Sequence, residues 1–187
     1  MSNFIFHEAP LQNLKIIEYQ PSTDERGFFS RLFCQKMLNH LIEKKTILQI
    51  NRTLTRKKGT VRGLHFQHPP YAETKIVSCL KGKVWDVAVD LRKGSPTFLY
   101  YHAELLTEDN HKSYLIPEGF AHGFQTLTSD CEMIYFHTAD YNKDLEGLIN
   151  AVDPMIGINW PQPITQRSER DNNCSMLTES FKGLELI

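Results

Sequence analysis

The sequence predicts a mainly β protein whose strands close into a sandwich or barrel. Three observations carry that expectation. Most of the chain divides into short runs rich in β-branched and aromatic side chains, bounded by Gly, Pro, Asn or charged pairs. Tight reversals stand at Lys81-Gly82-Lys83 and Gly94-Ser95-Pro96. Only one stretch has convincing helical periodicity.

That stretch comes first: Met37, Leu38, Leu41 and Ile42 recur on one face of residues 34–44, which predicts a short helix in the N-terminal part. Strands follow at 47–55, 60–66, 74–80, 83–91, 97–106, 113–116 and 131–138. The Lys81-Gly82-Lys83 spacing predicts a hairpin between the third and fourth of these. Residues 139–187 are more polar, and Asp153-Pro154, Gly157 and Trp160-Pro161 predict an irregular C-terminal segment that folds onto the sheets. Neither repeat nor linker interrupts the chain, so residues 1–187 are expected to form a single domain.

Composition narrows the function classes. The 187 residues are 41% hydrophobic and 23% charged, as in an ordinary folded protein. Twenty-one basic against 22 acidic residues leave a net charge of -1, so no global field exists to hold DNA or RNA. No run approaches the roughly 20 apolar residues a membrane helix needs, and the opening MSNFIFHEAP lacks the pattern of a signal peptide. A soluble, cytoplasmic protein is expected. Cys34, Cys79, Cys131 and Cys174 stand far apart, without CxxC or Cys/His clustering, and read as reduced thiols.

Strand parity in residues 47–54 separates Ile47, Gln49, Asn51 and Thr53 from Leu48, Ile50, Arg52 and Leu54. One face is thus polar. It is either a solvated outer face or the lining of a ligand-filled barrel. Val61-Arg62-Gly63-Leu64-His65-Phe66-Gln67 places a guanidinium and an imidazole around a glycine, and Lys75 opens an otherwise apolar strand. Taken alone, His65 could be structural and Lys75 a strand-end residue reaching to water. Pro117-Glu118-Gly119-Phe120-Ala121-His122 forms a PxGxxH pattern, whose turn is hard to explain by packing alone.

PxGxxH resembles the second signature of cupins, which are double-stranded β-helix or jelly-roll barrels with a site inside. The resemblance narrows when the pieces are read in order: Asp24-Glu25-Arg26-Gly27-Phe28-Phe29, Arg62 to Gln67, Lys75, Val84 to Arg92, Ser95-Pro96-Thr97, Ile116 to Phe124, Tyr135, Ile156 to Pro161, and Ser168 to Asp171. Together they resemble the dTDP-4-dehydrorhamnose 3,5-epimerase family over nearly the whole chain. The resemblance implies a metal-independent cupin without a cofactor, acting on a nucleotide sugar in deoxysugar biosynthesis. It also implies a homodimer with exchange of an N-terminal strand, in which Arg26 could serve the partner's site.

Epimerising a carbon beside a keto group requires a base, a donor for the enolate oxygen, and an acid on the opposite face. Histidine suits the base, because its ordinary pKa of about 6.5 leaves it largely neutral at pH 7. His65 is the candidate. The resemblance assigns Asp171 as its carboxylate partner, Tyr135 as the acid, Lys75 as the charge beside the enolate oxygen and His122 as a donor to the sugar. Arg26 and Arg62 suit a pyrophosphate, since a guanidinium offers paired donors to phosphate oxygens. Gln49 and Asn51 resemble sugar and nucleotide contacts, Tyr141 a ring that stacks on the base, and Glu146 and Arg170 further binding positions. The chain departs from the family pattern at Arg31, where glutamate is common, and at Arg170, where lysine is usual.

Strand parity sends Arg62 and His65 to opposite faces, so an irregularity is expected at Gly63. Three other readings stay open: inversion at a single carbon, a metal-dependent cupin using His65, His68, Glu73 and His122, and a sugar-nucleotide-binding cupin without catalysis.

Overall fold

The strands form two facing antiparallel sheets and one detached hairpin in the computed structural model, which describes residues 4–186. In chain order they are β1 Phe4–Glu8, β2 Lys15–Tyr19, β3 Ser22–Asp24, β4 Gly27–Phe29, β5 Gln49–Thr55, β6 Val61–Gln67 and β7 Lys75–Lys81. There follow β8 Lys83–Asp90, β9 Tyr101–Thr107, β10 Lys112–Ile116, β11 Phe120–Thr126, β12 Cys131–His137 and β13 Glu146–Leu148. Two short helices, α1 Gln35–Leu38 and α2 Glu169–Asn172, complete the elements used below.

One sheet has the order β1-β2-β10-β7-β12-β5 and the other β13-β6-β11-β8-β9. From β5 to β13 the chain changes sheet at every step except that from β8 to β9. This is the jelly-roll barrel of the cupins, mainly β as the sequence predicts.

Alternating side chains sort into three apolar layers. Val77, Val84, Ala88, Tyr114, Phe124 and Met133 point inward from both sheets and fill one end of the barrel. Leu64, Phe66, Val87 and Val89 point outward from the five-stranded sheet and are covered by Ile149, Ile156 and Leu184 of the C-terminal segment. Ile17, Ile76, Leu115 and Phe136 point outward from the six-stranded sheet beneath Leu38 and Ile42. Burying each such side chain contributes about 1.5–3 kcal/mol. The irregular C-terminal segment is therefore part of the core, tied on by bridges from Thr60 to Gln166 and from Arg92 to Leu184.

Several sequence expectations are corrected. β7 and β8 do not form a hairpin: β7 pairs with β10 and β12, while β8 pairs with β11 and β9. Gly82, at φ 81°, carries the chain from one sheet to the other instead of folding it back within one. The helix expected over residues 34–44 is regular only at Gln35–Leu38. Its N-cap, Cys34, makes no side-chain capping bond, and Glu43 and Lys44 adopt left-handed φ values. Leu38 and Ile42 are nevertheless fully buried, so the apolar face is real.

β9 begins at Tyr101 and not at residue 97, because the Asp90 carboxylate gathers Arg92, Ser95 and Thr97 into a turn. The β1–β2 and β3–β4 pairs and β13 were not foreseen as strands; the register of β1 with β2 runs from Phe4–Tyr19 to Glu8–Lys15. No helix among the described residues is long and apolar enough to cross a membrane.

Candidate active site

Between the sheets lies a cavity of about 720 Å³, within the usual size range for small-molecule sites. The parity question in β5 is settled there: Asn51 and Thr53 line the cavity, whereas Leu48 and Ile50 are exposed outside, and only at the strand's end does Leu54, 40% exposed, also border it. A polar row facing inward and an apolar row facing outward invert the usual strand, as a barrel holding a polar ligand requires.

β6 brings Arg62 and His65 to the same cavity through the irregularity expected at Gly63. His122 pairs with His65 and Phe124 with Arg62, so two steps along β11 oppose three along β6. The extra residue turns both side chains inward. Gly63 has φ 113°, and a Cβ there would stand 2.7 Å from both Gly123 Cα and His122 O. Only glycine fits this crossing.

His65 Nε2 lies 2.8 Å from Asp171 Oδ1. Donation of Nε2–H to the carboxylate leaves Nδ1 as the lone-pair nitrogen, with Glu146 Oε1 4.0 Å away. Asp171 comes from α2, where the Ser168 hydroxyl accepts from the Asp171 N–H and caps the turn. Burial raises the Asp171 carboxyl, but the bond and charge of His65, with donors at Ser168 and Gly63, outweigh it and keep it below its usual range. The carboxylate is thus ionised and suited to stabilise an imidazolium.

Tyr135 reaches the cavity from β12, on the opposite sheet. Its hydroxyl lies 3.3 Å from Thr53 Oγ1, and its ring is 6.2 Å from that of His122. Burial pushes the phenol pKa up, so the hydroxyl keeps its proton and is a donor at neutral pH. Lys75 is only 7% exposed and lines the cavity, which excludes a strand-end lysine reaching to solvent. Its Nζ lies 2.8 Å from Glu73 Oε1. His122 Nε2 donates to the fully buried Asp86, 2.8 Å away, making a second imidazole–carboxylate pair. Burial raises the Asp86 carboxyl, with His122 opposing it.

Tyr141 and Glu146 stand at the mouth, joined by a 2.8 Å hydrogen bond from the phenol, which raises the Tyr141 pKa. Three expected binding residues do not line the cavity. Gln49 accepts from the Tyr141 N–H at 2.7 Å, and Arg170 ion-pairs with Glu146, so both support lining residues from behind. Arg26 lies on the exposed β3–β4 hairpin, paired with Asp24, and does not reach the cavity of its own chain.

Arg56, Lys57 and His137, which no sequence motif marks, and Glu73, a candidate only as a metal ligand, all line the cavity. Arg56-Lys57 directly after a polar strand was an available signal for an anion. The metal-ligand set does not converge: His65 faces Asp171, Glu73 faces Lys75 and His137, His122 faces Asp86, and His68 packs on Phe66. No group of three such ligands gathers among the described residues.

Comparison with known proteins identifies the family. The family model described as dTDP-4-dehydrorhamnose 3,5-epimerase matches residues 8–179. The enzyme of that name from Sinorhizobium fredii is 38% identical over 180 residues, covering 96% of this chain and 92% of the relative. That from Shigella flexneri is 40% identical, covering 91% and 93%. A crystal structure of the Legionella pneumophila dTDP-6-deoxy-D-glucose-3,5-epimerase in complex with dTDP-4-keto-L-rhamnose superposes with a TM-score of 0.88 at 36% identity, covering 93% of each chain. With family model, relatives and fold in agreement over nearly the whole length, the chain belongs to the dTDP-4-dehydrorhamnose 3,5-epimerase family, a family of isomerases.

Proposed function

We propose that the chain inverts C3, C5 or both carbons of a dTDP-4-keto-6-deoxyhexose through an enolate, with His65 as base and Tyr135 as acid. One observation carries this reading: a carboxylate-backed imidazole and a proton-bearing phenol line one cavity from opposite sheets. The keto group acidifies the neighbouring C–H, and His65 Nδ1 takes that proton while Asp171 stabilises the imidazolium. The Lys75 ammonium offsets charge developing on the enolate oxygen, and His122, its Nε2–H held by Asp86, presents Nδ1 to a sugar hydroxyl. Tyr135 then delivers a proton from the other side, which inverts the carbon. Arg62, with Arg56 and Lys57, supplies cationic donors for the pyrophosphate, and Tyr141 offers a ring to the base.

The test is NMR of the product formed from the dTDP-4-keto-6-deoxyglucose nucleotide in deuterated water. Label at each inverted carbon is expected and reports whether one or two are turned over; product formed without label would eliminate the enolate.

A homodimer with exchange of an N-terminal strand forms part of the proposal. β5 is an edge strand with Leu48, Ile50 and Leu54 exposed, and the β3–β4 hairpin exposes Phe28 and Phe29 beside Arg26. Such apolar surface is suited to cover by a second copy, with Arg26 reaching the partner's cavity. Mixing inactive Arg26→Ala and His65→Ala chains should then restore about a quarter of wild-type activity through heterodimers with one intact site. No recovery in mixed dimers would refute shared sites. A cytoplasmic location accords with the four free cysteines.

A further inference from the structure

A third imidazole–carboxylate pair, with no part in the chemistry above, lies within the cavity. Glu73 divides its two oxygens: Oε1 is 2.8 Å from Lys75 Nζ, and Oε2 is 2.8 Å from His137 Nδ1. Its side chain is 8% exposed and that of His137 14%. The His137 ring stacks on the Tyr135 ring, with centroids 6.0 Å apart and planes 17° from parallel. Its Nε2 is 3.3 Å from the Asn51 amide nitrogen. One carboxylate therefore links the cation assigned to the enolate oxygen with the imidazole packed on the assigned acid.

The backbone holds this arrangement in place. His137 pairs with Lys75 across β12 and β7, and the Thr138 hydroxyl both accepts from the Thr74 N–H and donates to the Thr74 carbonyl. Residues 73 and 137 are thus fixed against each other just beyond the residues they contact.

Charge alone does not explain Glu73. An anion beside Lys75 subtracts from the positive potential offered to an enolate, so a carboxylate needs another reason to be there. Geometry supplies one. A flexible lysine stem is held in one direction by a fixed acceptor. Donation of His137 Nδ1–H to Glu73 also fixes the tautomer, so that Nε2 accepts from the Asn51 amide and leaves the Asn51 carbonyl to accept from the reacting sugar.

We propose that Glu73 and His137 act as one positioning unit, which aims the Lys75 ammonium and holds the Tyr135 ring and the Asn51 amide for the reaction. The proposal rests on the roles assigned above to Lys75 and Tyr135. Neither member touches the reacting carbon, so losing either should lower kcat and leave nucleotide binding intact.

The experiment compares Glu73→Gln, His137→Phe, His137→Asn, their Gln/Phe double variant and Lys75→Ala in full-length protein, by kcat, KM, dTDP affinity and Tm. His137→Phe keeps a flat ring on Tyr135 but donates nothing to Glu73; His137→Asn keeps a donor near the Nδ1 position. Glu73→Gln and His137→Phe should each lose about 10- to 100-fold in kcat with KM and dTDP affinity within about twofold. The double variant should be no worse than the more impaired single one, and His137→Asn should recover most of the loss. Wild-type kcat in a folded His137→Phe protein, multiplicative losses in the double variant, or no recovery in folded His137→Asn would each overturn the unit. Lys75→Ala separates the two levels: if it is inactive while His137→Phe is fully active, only the positioning unit fails, whereas an active Lys75→Ala removes the role on which the unit was built.

Discussion

His65 and Tyr135 line one cavity from different sheets, the imidazole on β6 and the phenol on β12. His122 borders both: its backbone pairs with His65, and its ring lies 6.2 Å from that of Tyr135. On the proposed mechanism a planar enolate held among these groups presents one face to each sheet, and inversion follows because the proposed base and the proposed acid belong to opposite walls.

The base and its partner give the first prediction. His65→Ala should lower kcat by about 10³-fold and Asp171→Asn by about 10²-fold or more, with dTDP affinity within about twofold of wild type. Steady-state kinetics and calorimetric titration measure the two quantities. Turnover of His65→Ala near the wild-type rate would remove it from the base role.

The β6 irregularity gives a second. Gly63 and Gly94 both have positive φ, but an added Cβ meets backbone at 2.7 Å at Gly63 and nothing within 4 Å at Gly94. Gly94→Ala should cost about 1 kcal/mol and Gly63→Ala about 3 kcal/mol or more, read from urea unfolding. Gly63→Ala should also lose activity, because Arg62 and His65 share the site only through that bulge. Equal costs for the two substitutions would contradict the packing described.

Glu73 gives a prediction about pH. Burial raises its carboxyl, but the charge of Lys75 and the His137 bond prevail and lower it from 4.5 to about 2. As pH falls, the unfolded chain takes up this proton before the folded one does. The stabilisation is therefore fully present above the unfolded value and is lost as pH falls toward 2. It amounts to about 3 kcal/mol at pH 6 and about half that at pH 3. Wild type should be more stable than Glu73→Gln by a margin that narrows over this interval, measured by urea unfolding at each pH. A margin that widens toward acid would reverse the sign assigned here.

Much of this site was legible in the sequence because its parts carry local signatures. PxGxxH announced the turn before His122, and an out-of-phase pair around a glycine announced the β6 bulge. The polar row of β5 was legible only as a choice between inside and outside, since parity separates faces without saying which one is buried. Lys81-Gly82-Lys83 misled for a physical reason: a one-residue turn looks the same whether the chain folds back or crosses to a facing sheet. Glu73 and His137 were illegible because each gains its meaning from a partner 64 residues away. Arg26 resembles a site residue in sequence yet stands outside the cavity of its own chain, on an exposed hairpin paired with Asp24.

The most direct test of opposed base and acid is the fate of hydrogen in Tyr135→Phe, followed by NMR of the nucleotide sugar in deuterated water. With the base intact and the acid lost, deuterium should enter at the carbon next to the keto group by return through His65, with configuration retained and net inversion reduced by about 10²-fold or more. Inversion at the wild-type rate, or sugar that neither inverts nor acquires label while still bound, would contradict the division of labour between the two walls.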